Sequence, residues 1–266
     1  MSQEMKTVIL GGAGKTGRRV ASQLAAKSVA TRLVSRSTEV PFDWADEQTY
    51  RGAVRGATSM YLTYYPDLAM PGAAEQVDAV SRIAVEEGVQ RIVLLAGRGE
   101  PQVHPAEDAV KQSGAEWSIL ECAFFAQNFS EGALSPRDGV VAFPAGDIAE
   151  PFIDCDDIAD VAVAALTEDR HVGQTYELTG PRALGWAEAT QAIASASGQP
   201  LRYVPVSFEQ YAEALAAHMP SPHVEFLVGL FRFLLDGHNT PTADGVERAL
   251  GRPARDFQTY ARGAWS

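Results

Sequence analysis

The sequence is poor in lysine, in cysteine and in long apolar runs, and each shortage excludes a class of protein. It has 22 basic and 34 acidic side chains, for a formal net charge of −12, and only four of the basic ones are lysines. Proteins that coat nucleic acid or anionic membranes need clustered Lys and Arg, so neither role fits. Cys122 and Cys155 are too few for a disulfide framework or a zinc site. The most apolar stretch, residues 224–235, is too short to cross a bilayer.

Strand-like and helix-like segments alternate over the first half of the chain. Lys6–Leu10 and Arg91–Ala96 have the pattern of buried strands. The residues before the first of them lack the pattern of a signal peptide, so we expect a protein without an export signal. Glu75–Glu87 has helical periodicity, with Gly88 where the helix should end. This alternation indicates a Rossmann-type doubly wound parallel sheet in an α/β protein, which we assign to residues 1–150. We expect a soluble, cytoplasmic protein that binds a small molecule, without nucleic-acid or membrane partners.

The remainder, residues 151–266, indicates a smaller, mostly helical C-terminal lobe that is partly interleaved with the first domain. Ser207 and Gln210 have the spacing of a capping box. Residues 224–235 are apolar on nearly every side, which indicates a helix that is buried, lines a pocket or joins a subunit interface. The subunit-interface alternative would make the protein a homodimer. Asp157 is expected to cap a helix rather than to bind a metal.

A glycine-rich turn between the first strand and the first helix is the most informative segment. Gly11, Gly14 and Gly17 form the pattern G-x-x-G-x-x-G. In such a turn the first glycine permits a tight bend, the second lets a pyrophosphate approach the backbone, and the third lets the helix pack closely. The helix N-terminus, at Lys15 and Thr16, offers N–H groups and a positive dipole end to the anion. The segment predicts a dinucleotide site; the alternative is an ordinary turn.

The residues after the second strand bear on which dinucleotide binds. Ser35 and Arg36 stand there instead of the carboxylate that would bond the ribose 2′-hydroxyl of NAD. Arg36 suits a 2′-phosphate, and Lys15 adds positive charge, so we expect NADP(H) to be favoured over NAD(H). The alternative is a solvated surface arginine. Asp43 and Trp44, after a predicted third strand, could hold the adenine, or could be a turn carboxylate and a core side chain.

A resemblance to a known family rests on five segments: Gly11–Gly17, Phe42-Asp43-Trp44, Arg91–Gly99, Ser113–Phe129 and Asp154–Asp160. Over most of its length the chain resembles the NmrA-like branch of atypical short-chain dehydrogenases/reductases. Two later segments, Tyr176–Leu184 and Gly251–Tyr260, look closest to a bacterial subgroup. That subgroup is similar to the ergot-alkaloid dehydrogenases of the EasG type, which reduce a C=N bond with NADPH. The resemblance implies a Rossmann domain with a small lobe over the nicotinamide. It also implies either a reductase of quinones, imines or aromatic ethers, or an NADP-binding redox sensor.

The chain departs from the family pattern at three places. Ala96 stands where relatives often have Ser, and Glu121 stands where they usually have Arg. The Tyr-x-x-x-Lys pair of short-chain reductases is absent, because Glu107 occupies the Tyr position relative to Lys111. We expect Glu107 and Lys111 to form a solvated ion pair on a helix. The usual proton donor is therefore missing.

Candidate catalytic residues can be proposed from their residue types and their positions near predicted strand ends. His104 could donate a proton near neutral pH or be a surface side chain. Glu121 ends a strand at the edge where such folds bind ligands, so it could stabilise a cationic substrate or act as an acid. The alternative is a salt bridge to Arg98 or to another arginine. Arg98 could itself contact substrate or cap its strand. Further cofactor contacts are expected at Thr63, Tyr64, Tyr65, Ala96 and Gly97.

Aromatic side chains after Glu121 indicate a substrate pocket. Phe124 and Phe125 would form apolar walls and Asn128 a polar anchor, although core packing explains the phenylalanines equally well. We favour an oxidoreductase: an NADPH-dependent reductase of a small apolar, aromatic or imine-type substrate. The alternative is a non-catalytic NADP(H)-binding redox sensor.

Overall fold

The computed structural model describes residues 6–132 and 134–265, which form two compact units. The first unit takes in residues 6–122, 155–178 and 245–252. The described residues of 123–154, 179–244 and 253–265 form the second. Each unit thus combines segments that are distant in the sequence. The predicted boundary at residue 150 stays a prediction.

The strands and helices follow one another closely along the chain. The strands are β1 (Lys6–Leu10), β2 (Ala30–Val34), β3 (Ser59–Leu62), β4 (Arg91–Gly97), β5 (Glu116–Cys122), β6 (Val140–Phe143), β7 (Ala149–Glu150), β8 (Gln174–Leu178), β9 (Leu184–Gly185) and β10 (Arg202–Pro205). The helices are α1 (Lys15–Ala26), α2 (Gln48–Val54), α3 (Ala73–Glu86), α4 (His104–Gln112), α5 (Asn128–Glu131), α6 (Cys155–Thr167), α7 (Trp186–Ser197), α8 (Phe208–Ala216), α9 (Ser221–Leu234), α10 (Gly245–Leu250) and α11 (Phe257–Trp265).

The first unit is built on a parallel sheet in which six of the described strands lie in the order β2-β1-β3-β4-β5-β8. The central strands β1, β3 and β4 are buried over most of their length, as in α/β proteins whose sheets are covered by helices. The chain leaves β1 toward β2 on one side and returns to β3 on the other. Ligands bind at the carboxyl edge of such sheets, where the strand order reverses. The predicted Rossmann-type sheet is confirmed.

The second unit contains two short sheets and an aromatic core. In it β10 pairs with β6 in parallel and β7 with β9 antiparallel. Its core centres on Trp186, whose ring stacks on Phe143 at 4.5 Å between centroids. Phe129, Phe152 and Phe257 surround the same centre and are almost fully buried. Aromatic pairs at such separations add to the stabilisation that burial provides.

Several local predictions can be compared with the structure. The capping box is present, since Ser207 and Gln210 each accept from the other's backbone N–H at the start of α8. Gly88 has the positive φ of 100° expected just beyond α3. Two predictions are wrong. Asp157 lies inside the first turn of α6, not at its cap. Instead of a third strand before residue 43 the chain forms an isolated bridge between Ser35 and Pro41.

Helix α9 carries the apolar stretch at residues 224–235, and only one of its faces is buried. Val224, Leu230 and Leu234 are buried, whereas Phe233 is 37% exposed. Of the alternatives that the sequence left open, burial therefore holds for one side of the helix within the described residues, and a pocket or a subunit interface on the other side stays a prediction. None of the helices formed by these residues is long and apolar enough to span a bilayer.

Candidate functional site

Two glycines of the turn between β1 and α1 are required by the protein itself. Gly11 has a φ of +77°, and a Cβ there would lie 2.0 Å from the hydroxyl oxygen of Thr63. That hydroxyl donates to the carbonyl of Leu10 at 2.9 Å and so ties the end of β1 to the end of β3. A Cβ on Gly17 would lie 2.4 Å from the carbonyl oxygen of Gly11. A side chain at Gly11 would displace Thr63, and one at Gly17 would push the helix away from the turn.

Gly14 differs from these two because a Cβ there would make a single tight contact with described atoms rather than a clash. Its φ of −72° and ψ of 173° suit any residue, and it occupies the N-cap of α1 without a side-chain hydrogen bond. A Cβ there would meet only the Gly11 carbonyl oxygen, at 3.1 Å, among described atoms. The uncapped helix end has backbone N–H groups that need acceptors. A pyrophosphate fits this arrangement: it would lie beside Gly14 and accept from those groups.

The loop after β2 holds Arg36 at an exposed position. The hydroxyl of Thr38 donates to the carbonyl of Ser35 at 2.9 Å and accepts from the Ser35 N–H at the same distance, which closes the loop. Arg36 makes no hydrogen bond or ion pair with any residue of 6–132 or 134–265, and the same holds for the ammonium group of Lys15. Two cations therefore lie close in sequence to the glycine turn and to the end of β2, both available to an anion.

Asp43 and Trp44 have local partners. One carboxylate oxygen of Asp43 accepts from the N–H of Ala45 at 3.0 Å, which closes a turn. The Trp44 ring packs against Phe42 at 4.8 Å and against Tyr64 at 4.6 Å between centroids. These contacts are those of the turn carboxylate and core side chain that the sequence left open. The predicted adenine contacts stay a prediction.

The carboxyl ends of β4, β5 and β8 bring two candidate residues, Ala96 and Glu121, together with Glu177. Ala96, Glu121 and Glu177 are in register on adjacent strands, so their side chains share a face. Arg98 directs its Nε to a Glu177 carboxylate oxygen at 2.7 Å. The sequence offered an ion pair between Arg98 and Glu121 as an alternative, but Arg98 pairs with Glu177 instead.

Glu121 is half-buried and has no hydrogen-bonded or ion-paired partner among the described residues. Burial raises the pKa of its carboxyl, and the negative charges of Glu107 and Glu177 raise it further; His104 and Lys111 act in the opposite direction. Glu177 stands opposite Glu121 on the neighbouring strand β8, and we call Glu121 and the four charged residues that act on its pKa the charge cluster. Because Glu107 pairs with Lys111 and Glu177 with Arg98, the one carboxylate of this cluster without an ion-pair partner among the described residues is Glu121, and its charge favours a cation.

Glu107 and Lys111 do not form the solvated pair that was expected. Their ion pair spans 3.3 Å, but the Glu107 side chain is only 3% exposed. Its second carboxylate oxygen is buried and has no hydrogen-bond partner among the described residues. The i,i+4 spacing predicted the ion pair between Glu107 and Lys111 correctly. The burial of Glu107 results from the packing of α4 on the sheet. His104, at the start of α4, is exposed.

Glu100 is a buried carboxyl group that sequence reasoning missed. It follows β4 and is 8% exposed. A Cβ on Gly97 would lie 2.0 Å from its Oε1, so the absence of a side chain at Gly97 makes room for it. Burial, with a smaller contribution from the charge of Asp67, raises the pKa of Glu100 to about 8. No sequence signal marks this residue, because its burial depends on Gly97 and its charged neighbour lies 33 positions away.

The predicted substrate-contacting residues lie in the second unit. Phe124 is half-buried, with its ring centroid 5.7 Å from that of Trp186 and 6.0 Å from that of Phe231. Phe125 forms a bridge with Ile153, and Asn128 begins α5. Packing within the unit accounts for these positions. Their contact with a substrate stays a prediction.

Comparisons with known proteins agree with this geometry. No family model matches the sequence. The chain is 30% identical to the NAD(P)H azoreductase of Xenophilus azovorans over 231 residues, 83% of this chain and 80% of the relative. It is 29% identical to festuclavine synthase I of Penicillium roqueforti over 286 residues, 97% of each protein. The NADP(H) complex of the Citrobacter sp. triphenylmethane reductase has the same fold, with a TM-score of 0.78 at 20% identity over 98% of this chain and 100% of that one.

The parallel sheet, the glycine turn and these likenesses define a class of protein: Rossmann-fold oxidoreductases that use a nicotinamide cofactor. Within that class, the chain belongs to the NmrA-like family of atypical short-chain dehydrogenases/reductases, whose members include NAD(P)-dependent reductases. The family predicted from sequence segments is thereby confirmed.

Proposed function

We propose that the protein is an NADPH-dependent reductase of small apolar or aromatic acceptors, including acceptors with a C=N bond. The main support for this proposal is the glycine turn at Gly11–Gly17, in which Gly14 leaves room for a pyrophosphate. The chain is also similar to an NAD(P)H-dependent reductase. NADPH, when bound, supplies a hydride to the acceptor. The N-terminus of α1 would hold its pyrophosphate. Residues beyond β4 and β5 would face the reacting end.

Preference for NADPH over NADH is proposed to depend on Arg36. We expect Arg36→Ala to weaken NADPH binding about tenfold or more and to leave NADH binding nearly unchanged. A charge-assisted contact to the 2′-phosphate contributes roughly 1.5–3 kcal/mol, and tenfold corresponds to about 1.4 kcal/mol. Calorimetric titration of both cofactors measures the effect. Arg55→Ala, which removes another exposed arginine, is the control. Equal losses for NADPH and NADH would remove Arg36 from the phosphate site.

The substrate class is proposed from the charge around Glu121. A carboxylate without an ion-pair partner among the described residues stabilises a cationic acceptor and repels an anionic one. The similar proteins are named for acting on azo compounds and on triphenylmethane compounds, and for making festuclavine. Acceptors of the first two kinds make useful probes, because cationic triphenylmethane dyes and neutral azo dyes differ in charge. We further propose that the chain is closest to the subgroup that reduces C=N bonds.

A purified-protein assay tests the proposed function. NADPH absorbance is followed with a cationic triphenylmethane dye, a neutral azo dye, a quinone and a cyclic iminium salt in turn. Acceptor-dependent loss of NADPH with at least one of them supports a reductase. Tight binding of NADPH without any turnover, at an affinity different from that of NADP⁺, would instead support the redox sensor. The cytoplasmic location and a homodimer stay predictions.

A further inference from the structure

The carboxyl group of Glu100 lies at the edge of the sheet where the reacting end of a cofactor is expected. Glu100 follows β4, and its Oε1 lies over Gly97, the last residue of that strand. Asp67, whose charge acts on Glu100, follows the neighbouring strand β3. The two carboxyl groups thus flank the carboxyl ends of adjacent central strands. This edge is the ligand-binding edge of doubly wound sheets.

Within the described part of the chain, Glu100 has no basic partner. No hydrogen bond or ion pair joins its carboxyl to residues 6–132 or 134–265, although the side chain is 8% exposed. Its charged neighbour, Asp67, instead accepts from the N–H of Ala69 at 2.9 Å. A largely buried carboxyl group without an ion-pair partner is destabilising when it is ionised, so its position is poorly explained by a structural role. Buried, perturbed carboxyl groups concentrate at functional sites.

We propose that Glu100 is the proton donor that replaces the missing Tyr-x-x-x-Lys pair when the acceptor is neutral. The inference rests on the proposed reductase function. A neutral acceptor gains a hydride, with its two electrons, at one atom of the double bond and a proton at the other. The proton comes from the Glu100 carboxyl, whose O–H bond breaks as the new bond to the acceptor's heteroatom forms. The carboxylate then regains a proton from water, and the cofactor leaves oxidised.

The protonation state of Glu100 agrees with this role. With its pKa raised to about 8 by burial and by the charge of Asp67, the group carries its proton at neutral pH. An effective acid has a pKa near the working pH. His104, the proton donor suggested by the sequence, is exposed, whereas Glu100 is largely buried. A cationic acceptor needs no proton donor, so Glu100 affects neutral and cationic acceptors differently.

A first test needs neither cofactor nor substrate. The folded pKa of Glu100 is raised above its ordinary value of 4.5, so its stabilising contribution is full below pH 4.5 and is lost as pH rises through about 8. The Tm of the wild type should therefore fall relative to that of Glu100→Gln between pH 5 and pH 8. In Asp67→Asn the fall should end at a lower pH, because that variant removes a charge that raises the pKa of Glu100. Identical pH dependence in wild type and Glu100→Gln would overturn the assignment.

The second test compares two acceptors on the same variants. Reduction of a neutral azo dye needs a proton, whereas a cationic triphenylmethane dye is neutralised by hydride alone. At pH 7 we expect Glu100→Gln to lower the ratio of azo to triphenylmethane kcat/KM at least about 10²-fold, the lower end for loss of a general acid. In the wild type the azo rate should decline above about pH 8, and in Asp67→Asn this decline should begin at lower pH.

The outcomes separate the two proposals. If the wild type reduces no acceptor, the reductase function fails and the role of Glu100 fails with it. If the wild type reduces both dyes but Glu100→Gln keeps the same ratio and the same decline with pH, only the role of Glu100 is overturned. A lowered ratio with the decline abolished, together with the altered pH dependence of Tm, supports it.

Discussion

Replacement of Gly14 by valine should remove NADPH binding while the protein stays folded. At this N-cap the backbone φ of −72° accepts a side chain, and its Cβ would meet only the carbonyl of Gly11, at 3.1 Å. The branched carbons of valine would instead occupy the space through which the pyrophosphate approaches the N–H groups of α1. We expect Kd for NADPH to rise at least about a hundredfold, or about 2.8 kcal/mol. Calorimetric titration measures Kd, and circular dichroism reports the fold.

Two other glycines provide controls for this variant. Gly185 is also a helix N-cap, with φ −66° and ψ 152°, and a Cβ there meets nothing within 4 Å. Gly185→Val should therefore bind NADPH as the wild type does. Gly17→Val should lose the fold as well as the cofactor, because its Cβ would lie 2.4 Å from a backbone oxygen. A folded Gly14→Val protein with normal NADPH affinity would refute the proposed pyrophosphate site.

The features that could be predicted from the sequence are those whose determinants lie close together in the chain. The glycine turn, the helix end at Gly88 and the capping box at Ser207 each involve fewer than ten consecutive residues with known backbone requirements. The alternation of strands and helices likewise gave the parallel sheet, because right-handed crossovers restrict the topology. Local chemistry was sufficient in each case.

The features that could not be predicted depend on packing between distant segments. Glu107 was expected in solvent, since i,i+4 spacing gives the pairing of Lys111 but not the depth of α4 on the sheet. Glu100 gave no signal, because its environment is created by Gly97 and by Asp67 on another strand end. The exposed Phe233 shows the converse: an apolar residue does not by itself determine burial.

The charge cluster at Glu121 leads to the second large effect. Glu121→Gln should lower kcat/KM for a cationic triphenylmethane dye or an iminium salt by about 10²-fold, with unchanged affinity for NADPH. The substitution keeps the shape of the side chain and removes the negative charge. Because this carboxylate is half-buried and unpaired within the described chain, its field acts on a nearby cation with little screening. Removing one well-placed electrostatic group from an active site has effects of this size.

The choice of control decides what a loss of activity in Glu121→Gln means. Glu116 lies on the same strand β5, at its amino end, where it pairs with Arg91 at 2.6 Å. Glu116→Gln changes the net charge equally but at the opposite edge of the sheet, so we expect rates within about twofold of wild type, since partly exposed ion pairs contribute little. A neutral quinone provides the substrate control, because its rate should depend weakly on Glu121. Equal losses for quinone and cationic dye would mean that Glu121 supports the structure of the site rather than the charge of its ligand.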